Sequence, residues 1–500
     1  MEIFQGILTG FAVAITPANL GYCLVGVLVG TLVGVLPGLG PVAAIALLLP
    51  TTFGISSASA VIMLAGIFYG AQYGGSTTSI LANIPGEATS VMTCLDGYQM
   101  ARQGRAGPAL AIAALGSFVA GTLGVLALTL AAPPLARLAI RAGAPELTGL
   151  MLLGLVLVAY LSRAGGGRAI AMALVGLLLG AVGMEPISGF QRYTFGSLEL
   201  LDGIGFLPVA MGLFGIGEVL SSFGRGAKRE LVTETLGSLW PTRADLRASA
   251  GPTFRGGVLG FLCGLIPGPS VVIATVASYA LERRLSRHPE RFGTGAIEGV
   301  AGPESANNAA AAGSLVPLLT LGLPSSPPTA ILLAALLLHG VTPGPLLMTR
   351  HPDVFWGVIA SMYIGNLMLL VLNLPLVGLF VRILLVPAPI LLPLIVLVSL
   401  IGAYSLANSL TDIFVMTLFG LLGYLLRKAA YDTTPLVIAL VLGPMFETAL
   451  RQALIMGHGS PLIFLTRPAS ALFMLAVAIV IALTVASPLG APDTASSAAR

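Results

Sequence analysis

The chain has 500 residues, of which 56% are hydrophobic and only 9% are charged, and its net charge is +4. Its mean hydropathy is +0.98. Soluble proteins carry roughly 25% charged residues, so the composition excludes an ordinary water-soluble enzyme or nucleic-acid-binding domain. A helix that crosses a bilayer needs roughly 20 mostly apolar residues, and such runs recur along the chain. We therefore predict an all-α polytopic membrane protein with about 12 transmembrane segments.

In chain order, the first apolar run covers residues 7–36. The residues before it, MEIFQG, lack the basic region of a cleaved signal peptide, so we expect this run to remain in the mature protein. Later runs in the first half cover 58–73, 109–132, 146–161, 168–184 and 203–220, and a second group extends from 256 to 487. Several runs are too short to cross the bilayer at about 1.5 Å per residue, which indicates broken helices or re-entrant hairpins.

One long polar stretch, residues 221–255, separates the two groups of apolar runs. It is rich in basic residues, which by the positive-inside rule favours the cytoplasm. The predicted organisation is therefore an N-terminal transmembrane repeat at 1–220, a basic cytoplasmic linker at 221–255, a C-terminal transmembrane repeat at 256–487 and a polar tail at 488–500. The remaining basic residues lie in short loops, so no nucleic-acid partner is expected.

The two halves contain similar interruptions. Residues 30–38 read GTLVGVLPG and 260–268 read GFLCGLIPG, while 84–90 read IPGEATS and 323–329 read LPSSPPT. A proline removes a backbone donor and ends a helix, and unpaired backbone groups are tolerated in a membrane only where protein or a water-filled cavity surrounds them. Paired interruptions of this kind indicate a transporter binding site between two repeats. Because basic residues flank 256–281 on both sides whereas the loop 51–59 is uncharged, we expect the two repeats to be inverted.

Polar residues beside these interruptions are candidates for binding. Ser76 and Thr77 precede the break at Pro85-Gly86, and Asn307 and Asn308 precede the break at Pro324. An isolated Ser or Thr in an apolar helix more often serves close packing. Glu304 could bind a cation or carry a proton, or it could be a helix N-terminal residue stabilised by the helix dipole. Glu87 has the same ambiguity, whereas Asp412, Asp432 and Glu447 are interpreted as interfacial.

Sequence motifs give an enzyme little support. The sequence contains no HExxH zinc motif, no GxxxxGK[ST] phosphate loop and no GxSxG nucleophile elbow. Its three cysteines are far apart, which indicates neither a disulfide framework nor a metal cluster. We therefore expect a protein that is not an enzyme and that has no cofactor, with Na⁺ as a possible coupling ion.

Three segments carry a family resemblance: YGGSTTSILANIPGEATSV at 73–91, GVAGPESANNAAAAGSLVPLLTLGLP at 299–324 and LVLGPMFETALRQAL at 440–454. They resemble the large membrane (permease) subunit of the tripartite tricarboxylate transporter family. The resemblance implies a secondary active transporter that imports a tricarboxylate or other small carboxylate. It also implies a small four-helix membrane subunit, a periplasmic solute-binding protein, coupling to Na⁺ or H⁺, and a multi-pass protein of the bacterial inner membrane. An elevator-type architecture with two hairpin tips and two broken helices fits this family.

The resemblance assigns substrate binding to residues that match the family motifs, namely Pro37, Gly38, Gly40, Gly75, Ser76, Thr77, Thr78, Pro85, Gly86, Pro267, Gly268, Asn307 and Asn308. Ser270, Pro324, Ser325 and Ser326 complete this set because they lie at the second tip and the second break, and Glu304, Ser305 and Asn83 are the candidates for cation coupling. Two positions depart from the family pattern. Pro324-Ser325-Ser326 stands where Pro-Gly-Ser is usual, and Pro269-Ser270 follows Gly268. A gated anion channel or a non-transporting membrane scaffold is the alternative function.

Overall fold

A computed structural model describes residues 2–36, 40–162, 165–185, 187–223, 238–268, 270–383, 388–407 and 409–486. The described chain is mainly helical and forms two compact units. The first unit contains residues 1–140, 205–266 and 270–424, and the second contains residues 141–204, 267–269 and 425–500. Pro37 and Gly38, residues 224–237 of the basic stretch and the tail at 488–500 lie outside the described residues.

The first six helices are α1 (Glu2–Ala14), α2 (Pro17–Val35), α3 (Gly40–Leu48), α4 (Ser57–Ala82), α5 (Val91–Arg102) and α6 (Ala106–Ile140). The apolar run predicted at 7–36 is therefore two helices. The chain breaks between them because Thr16 caps α2 with its side chain and Pro17 occupies the first turn, where its missing N–H has no cost.

A second group follows α6. It comprises α7 (Ala144–Tyr160), α8 (Gly166–Gly180), the strands β1 (Gly183–Met184) and β2 (Gln191–Arg192), α9 (Phe206–Ala210) and α10 (Gly217–Phe223). β1 and β2 pair antiparallel, a small addition to the all-α fold that we predicted. The π-helical turn Met211–Ile216 joins α9 to α10.

The next six helices are α11 (Arg243–Gly264), α12 (Ser270–Leu285), α13 (Glu298–Leu321), α14 (Pro327–Leu338), α15 (Leu347–Arg350) and α16 (Pro352–Asn373). Thr242 begins α11 with a capping box, in which its hydroxyl accepts from the Asp245 amide and donates to the Asp245 carboxylate. The helix therefore begins inside the basic stretch that we had predicted to be a linker, and Arg105 binds Asp245 at 2.5 Å.

The last helices are α17 (Val377–Ile383), α18 (Ala388–Ala407), α19 (Leu410–Lys428), α20 (Thr434–Met456), α21 (Ile463–Thr466) and α22 (Pro468–Ala486). Five helices of the described chain, α2, α6, α16, α19 and α20, are long and apolar enough to cross a membrane. The structure thus agrees with a polytopic membrane protein, while the number of about 12 segments stays a prediction.

Close helix packing in the first unit depends on two sets of glycines. A Cβ on Gly26, Gly30 or Gly34 of α2 would lie within 2.6 Å of a carbonyl oxygen of α4. Those carbonyls belong, in the same order, to Met63, Ile67 and Ala71. Because real Cβ atoms do not approach backbone this closely, any larger residue would push the two helices apart.

The same arrangement recurs between α11 and α13. A Cβ on Gly256, Gly260 or Gly264 would lie within 2.4 Å of a carbonyl oxygen of α13. These carbonyls belong, in order, to Gly302, Ala306 and Ala310. The three glycines of α11 follow those of α2 by 230 residues each, as Gly256 follows Gly26. Their three partners on α13 follow those on α4 by 239 residues each, as Gly302 follows Met63. The internal repeat seen in the sequence is therefore also a repeat of helix packing.

Both central helices end where the proline patterns predicted. α4 ends at Ala82 and is followed by Asn83 in the left-handed region, with φ 52°. α13 ends at Leu321 and is followed by Gly322, with φ 70°. Pro85 and Pro324 come next, again 239 residues apart. The breaks predicted before these two prolines are confirmed, and they share one C-terminal geometry.

The second unit is held by polar contacts at its helix ends. Arg467 donates to the Glu146 carboxylate at 2.5 Å, and Arg192 binds Glu447 through two hydrogen bonds of 2.7 and 3.0 Å. Asp432 accepts from the Ser162 hydroxyl at 2.9 Å. Asp432 and Glu447, interpreted from sequence as interfacial, thus form structural contacts within this unit.

Candidate functional site

A buried carboxylate lies where α13 crosses α4 and α5. Glu304 is 1% exposed, and both of its oxygens accept hydrogen bonds. Ser76 of α4 donates to Oε2 at 2.5 Å, and the Thr93 hydroxyl of α5 donates to Oε1. Glu304 lies well inside α13 and not at its first turn, so the dipole interpretation of its role does not apply. No ion pair to Glu304 occurs within the described part of the chain, which leaves a proton or a bound cation as its natural counter-charge.

The hydroxyl residues 76–79 of α4 differ in their contacts. Only Ser76 reaches Glu304. Thr78 donates to the Val35 carbonyl at 2.6 Å, and Ser79 donates to the Gly75 carbonyl at 3.0 Å. The Thr78 bond joins the end of α4 to α2, whereas the Ser79 bond lies within α4, so the proton of Thr78 is directed at a backbone carbonyl.

The first break places a second acidic residue near Glu304. The Glu87 amide donates to the Ser90 hydroxyl at 3.3 Å, which donates back to the Glu87 carbonyl at 3.0 Å. The buried Oε1 of Glu87 has no hydrogen-bond partner among the residues that the structure describes. Thr89 donates to Gln72 at 3.0 Å. The first break therefore contains a Glu87 carboxylate oxygen without a described partner, and beside it the hydrogen-bonded pair Thr89 and Gln72.

The second break has the same backbone bonds and no acid. The Ser326 amide donates to the Thr329 hydroxyl at 2.9 Å, which donates to the Ser326 carbonyl at 2.8 Å. Ser326 thus occupies the place of Glu87 at the 239-residue offset. Its hydroxyl also lies 3.1 Å from Thr329 Oγ1, and Pro324 beside it is buried.

The departure from the family pattern at Ser325 has a local explanation. The Ser325 hydroxyl donates to the Ser314 carbonyl at 3.2 Å. At the equivalent place in the first break, a Cβ on Gly86 would lie 2.6 Å from Gly75 Cα and 2.1 Å from the Gly34 carbonyl oxygen. Ser325 therefore fills space and adds a side-chain hydrogen bond to a carbonyl of α13.

The asparagines of α13 differ in their surroundings. Asn308 donates to the Ser117 hydroxyl at 2.7 Å and to the Glu304 carbonyl at 3.1 Å, so it joins α13 to α6. Asn307 is fully buried, and neither its amide nitrogen nor its amide oxygen has a partner within the described ranges. Because Asn307 follows Glu304 by three residues, the two share a helix face. Asn307 is therefore the strongest ligand candidate on this helix.

Two of the three proposed cation ligands lie in other surroundings. The Ser305 hydroxyl is buried without a described partner, but it lies only 2.9 Å from where a Cβ on Gly116 would be, so it packs α13 against α6. Asn83 is exposed and ends α4. Of the three, Glu304 is both buried and hydrogen-bonded by side chains of two other helices.

The hairpin tips are less informative. Gly40 begins α3 in the left-handed region, with φ 56°. Pro267 and Gly268 belong to the second unit, where a Cβ on Gly268 would lie 3.2 Å from Leu161. Ser270 begins α12 in the first unit, and its buried hydroxyl has no partner in the described chain.

Sequence analysis missed three residues near this site. Thr93 bonds Glu304, and the fully buried Asp96 accepts from the Tyr279 hydroxyl and from the amides of Gly293, Gly295 and Ala296, each at 2.8 Å. Asp96 thereby fixes the loop that leads into α13. The third is Asn373, which lines a small cavity with Tyr73, Ser76 and Thr77 of α4 and three apolar residues of α6. Asp96 and Asn373 could have been noticed as isolated polar residues beside or within apolar segments.

Comparison with known proteins identifies the family. The profile of the tripartite tricarboxylate transporter TctA family matches residues 20–438. A 52.8 kDa protein in the TAR-I ttuC' 3' region of Agrobacterium vitis is 50% identical over 471 residues, covering 94% of each chain. A protein in the TAR-II ttuC' 3' region of the same organism is 50% identical over 212 residues, which is 42% of this chain and 88% of that one. No solved structure matches. The chain therefore belongs to the tripartite tricarboxylate transporter TctA family, whose members are the large membrane subunits of three-part transporters.

Proposed function

We propose that this chain is the translocating subunit of a secondary active transporter that imports a tricarboxylate or another small carboxylate. The observation that carries the proposal is the pair of equivalent helix breaks within one unit, with the buried Glu304 beside the first of them. A break leaves backbone groups unpaired, and inside a membrane protein these groups are useful only where a solute binds. A non-transporting scaffold would have no need for them.

Helix directions support inverted repeats. Ser76 of α4 meets Glu304 of α13. Four residues later on α4, Ile80 approaches Gly97, and Val300, four residues earlier on α13, approaches the same glycine. Contacts that advance along α4 while they retreat along α13 indicate that the two helices run in opposite directions. Since α4 and α13 are equivalent helices of the repeat, their opposite directions support the proposed inverted arrangement.

The substrate carboxylate is proposed to bind at the second break. α14 begins there with 12 residues, so the positive end of its dipole faces the break, while its first two residues, Pro327 and Pro328, have no N–H to donate. Ser326 supplies a neutral hydroxyl, and no acidic side chain occupies this break among Leu323–Thr329. The first break, which contains Glu87, would repel a carboxylate unless a cation or a proton accompanied it. Substrate and coupling cation would therefore use different breaks.

Coupling is proposed to act through Glu304. Moving a carboxylate and a buried anionic side chain together across a membrane is expensive unless a cation compensates the charge. Binding of Na⁺ or H⁺ at Glu304 before the substrate binds would supply that compensation. The coupling thus requires no cofactor beyond the ion, and this chain acts as a carrier and not as an enzyme.

We also propose the remaining features of the three-part system. A periplasmic binding protein would deliver the carboxylate, and a small four-helix subunit would accompany this chain in the bacterial inner membrane. An elevator movement of one part of the protein against another would expose the site alternately to the two sides. Family membership supports each of these features.

The test is uptake of labelled carboxylates into proteoliposomes that contain this chain, with the small subunit and the binding protein added or withheld. We expect uptake that requires the binding protein and an imposed Na⁺ or H⁺ gradient, at carrier turnover rates. Flux that is far faster and independent of the binding protein would instead support a gated anion channel. Absence of uptake by folded protein for every di- and tricarboxylate under both gradients would refute the proposal.

A further inference from the structure

A small cavity is lined by Asn373, Tyr73, Ser76, Thr77 and apolar residues of α6, and we call it the Asn373 cavity. Its polar lining includes an Asn373 oxygen without a hydrogen-bond partner in the described chain. It has room for an occupant of about the size of a water molecule and is too small for a citrate-sized carboxylate. Every residue that lines it belongs to the first unit. It therefore differs in size from the substrate site proposed above.

Most of the polar side chains that line this cavity offer acceptor atoms, because Tyr73 and Ser76 already donate their protons elsewhere. Asn373 is 5% exposed and donates its amide hydrogen to the Leu369 carbonyl at 3.0 Å, while its Oδ1 has no partner within the described chain. Ser76 uses its proton on Glu304, so its oxygen can offer only lone pairs to the cavity. A buried acceptor without a donor is costly, which indicates that a donor or a cation completes the site.

The surrounding charge is negative. Asn373 is the last residue of α16, so the carbonyl end of that helix and its negative dipole lie at the cavity. The Glu304 carboxylate is one hydrogen bond away, on the far side of Ser76. The lining contains no Lys, Arg or His. These features together favour a cation over a neutral donor.

We propose that this cavity binds Na⁺, with Asn373 Oδ1 and the hydroxyl oxygens of Ser76 and Thr77 as ligands. Hard cations take oxygen ligands, and helix ends at broken segments coordinate Na⁺ in transporters. Ser76 then connects the bound ion to Glu304, so that the ion compensates the buried carboxylate. Assigning this ion to coupling rests on the proposed function, whereas binding of the ion does not.

The experiment measures thermal unfolding of the purified full chain in detergent, with NaCl titrated against choline chloride at constant ionic strength. We expect a saturable, Na⁺-dependent rise in Tm that KCl does not reproduce. Asn373→Leu should raise the apparent Kd for Na⁺ about tenfold or more, whereas Asn373→Asp should retain binding. Ser361→Ala is the matched control, because its hydroxyl donates to the Val358 carbonyl on the same helix at 2.7 Å and Ser361 does not line the cavity.

Two results would overturn the proposal. One is the absence of any Na⁺-specific shift in the wild-type chain, and the other is a shift that Asn373→Leu leaves unchanged. If Asn373→Leu does not fold, Thr77→Val removes a different ligand and decides the question. Carboxylate uptake by the same preparation separates the two hypotheses. Uptake without a Na⁺ effect refutes only the ion site, and a Na⁺ effect without any uptake refutes only the transport function.

Discussion

The two helix breaks of the first unit have the same backbone and different side chains. Each central helix ends in a left-handed residue, continues through a proline and re-enters helical structure with an amide bonded to a hydroxyl three residues later. The first break carries Gly86 and Glu87 where the second carries Ser325 and Ser326. The two repeats therefore share the backbone geometry of the break. Their side chains differ, so that the first break is acidic and the second is neutral.

The largest expected effect comes from making the first break like the second. Gly86→Ser places a Cβ about where the Gly34 carbonyl oxygen and Gly75 Cα already lie. Since both obstacles are backbone atoms, the break must move away from α2 and α4, and we expect a loss of about 3 kcal/mol of stability. Thermal unfolding in detergent measures the effect. A variant as stable as wild type would show that the first break has room for a side chain, as the second break has.

The second-largest effect concerns Glu304, the buried acid beside the first break. Glu304→Gln keeps the shape and can still accept from Ser76, but it removes the charge that a coupling ion would balance. We expect folded protein whose gradient-driven uptake falls at least about tenfold, equivalent to about 1.4 kcal/mol. Glu298→Gln, at the start of the same helix, is the control and should transport normally. Equal uptake by both variants would return Glu304 to a structural role.

The reverse exchange at the second break should be mild. Ser325→Gly restores the Pro-Gly-Ser pattern and loses one hydrogen bond to the Ser314 carbonyl. We expect a cost of about 1 kcal/mol and unchanged substrate affinity, since the hydroxyl points at the backbone. Binding assays together with unfolding curves would test this. A large change in affinity without a change in stability would place Ser325 among the substrate ligands.

The smallest effect distinguishes the two left-handed residues. Asn83→Gly relieves a non-glycine residue at φ 52° and should change stability by no more than about 1 kcal/mol. Gly322→Asn should cost more, because a Cβ there would lie 2.8 Å from the Pro343 carbonyl oxygen in addition to the strained φ. Comparison of the two unfolding midpoints tests whether both breaks need the same backbone. Equal effects would mean that Pro343 moves away freely.

Several features of the site were predictable because they depend on local chemistry. Both central helices ended before Pro85 and Pro324 as expected, and each is followed by a left-handed residue. Glu304 stood out as an acid within an apolar run. The roles of Thr78 and Ser325 were not predictable, because a hydroxyl bonded to a backbone carbonyl and one free for a ligand look alike in sequence.

The sequence by itself determined the class of protein, the family, the repeat and the places where helices end, because composition, motif and proline chemistry are properties of the chain alone. Tertiary structure decided which polar groups meet. Thr93 reaches Glu304 across 211 positions and Ser76 across 228, and Asn373 joins Thr77 in one cavity. Such contacts depend on how closely the glycine-lined helices approach, and no local pattern encodes that distance.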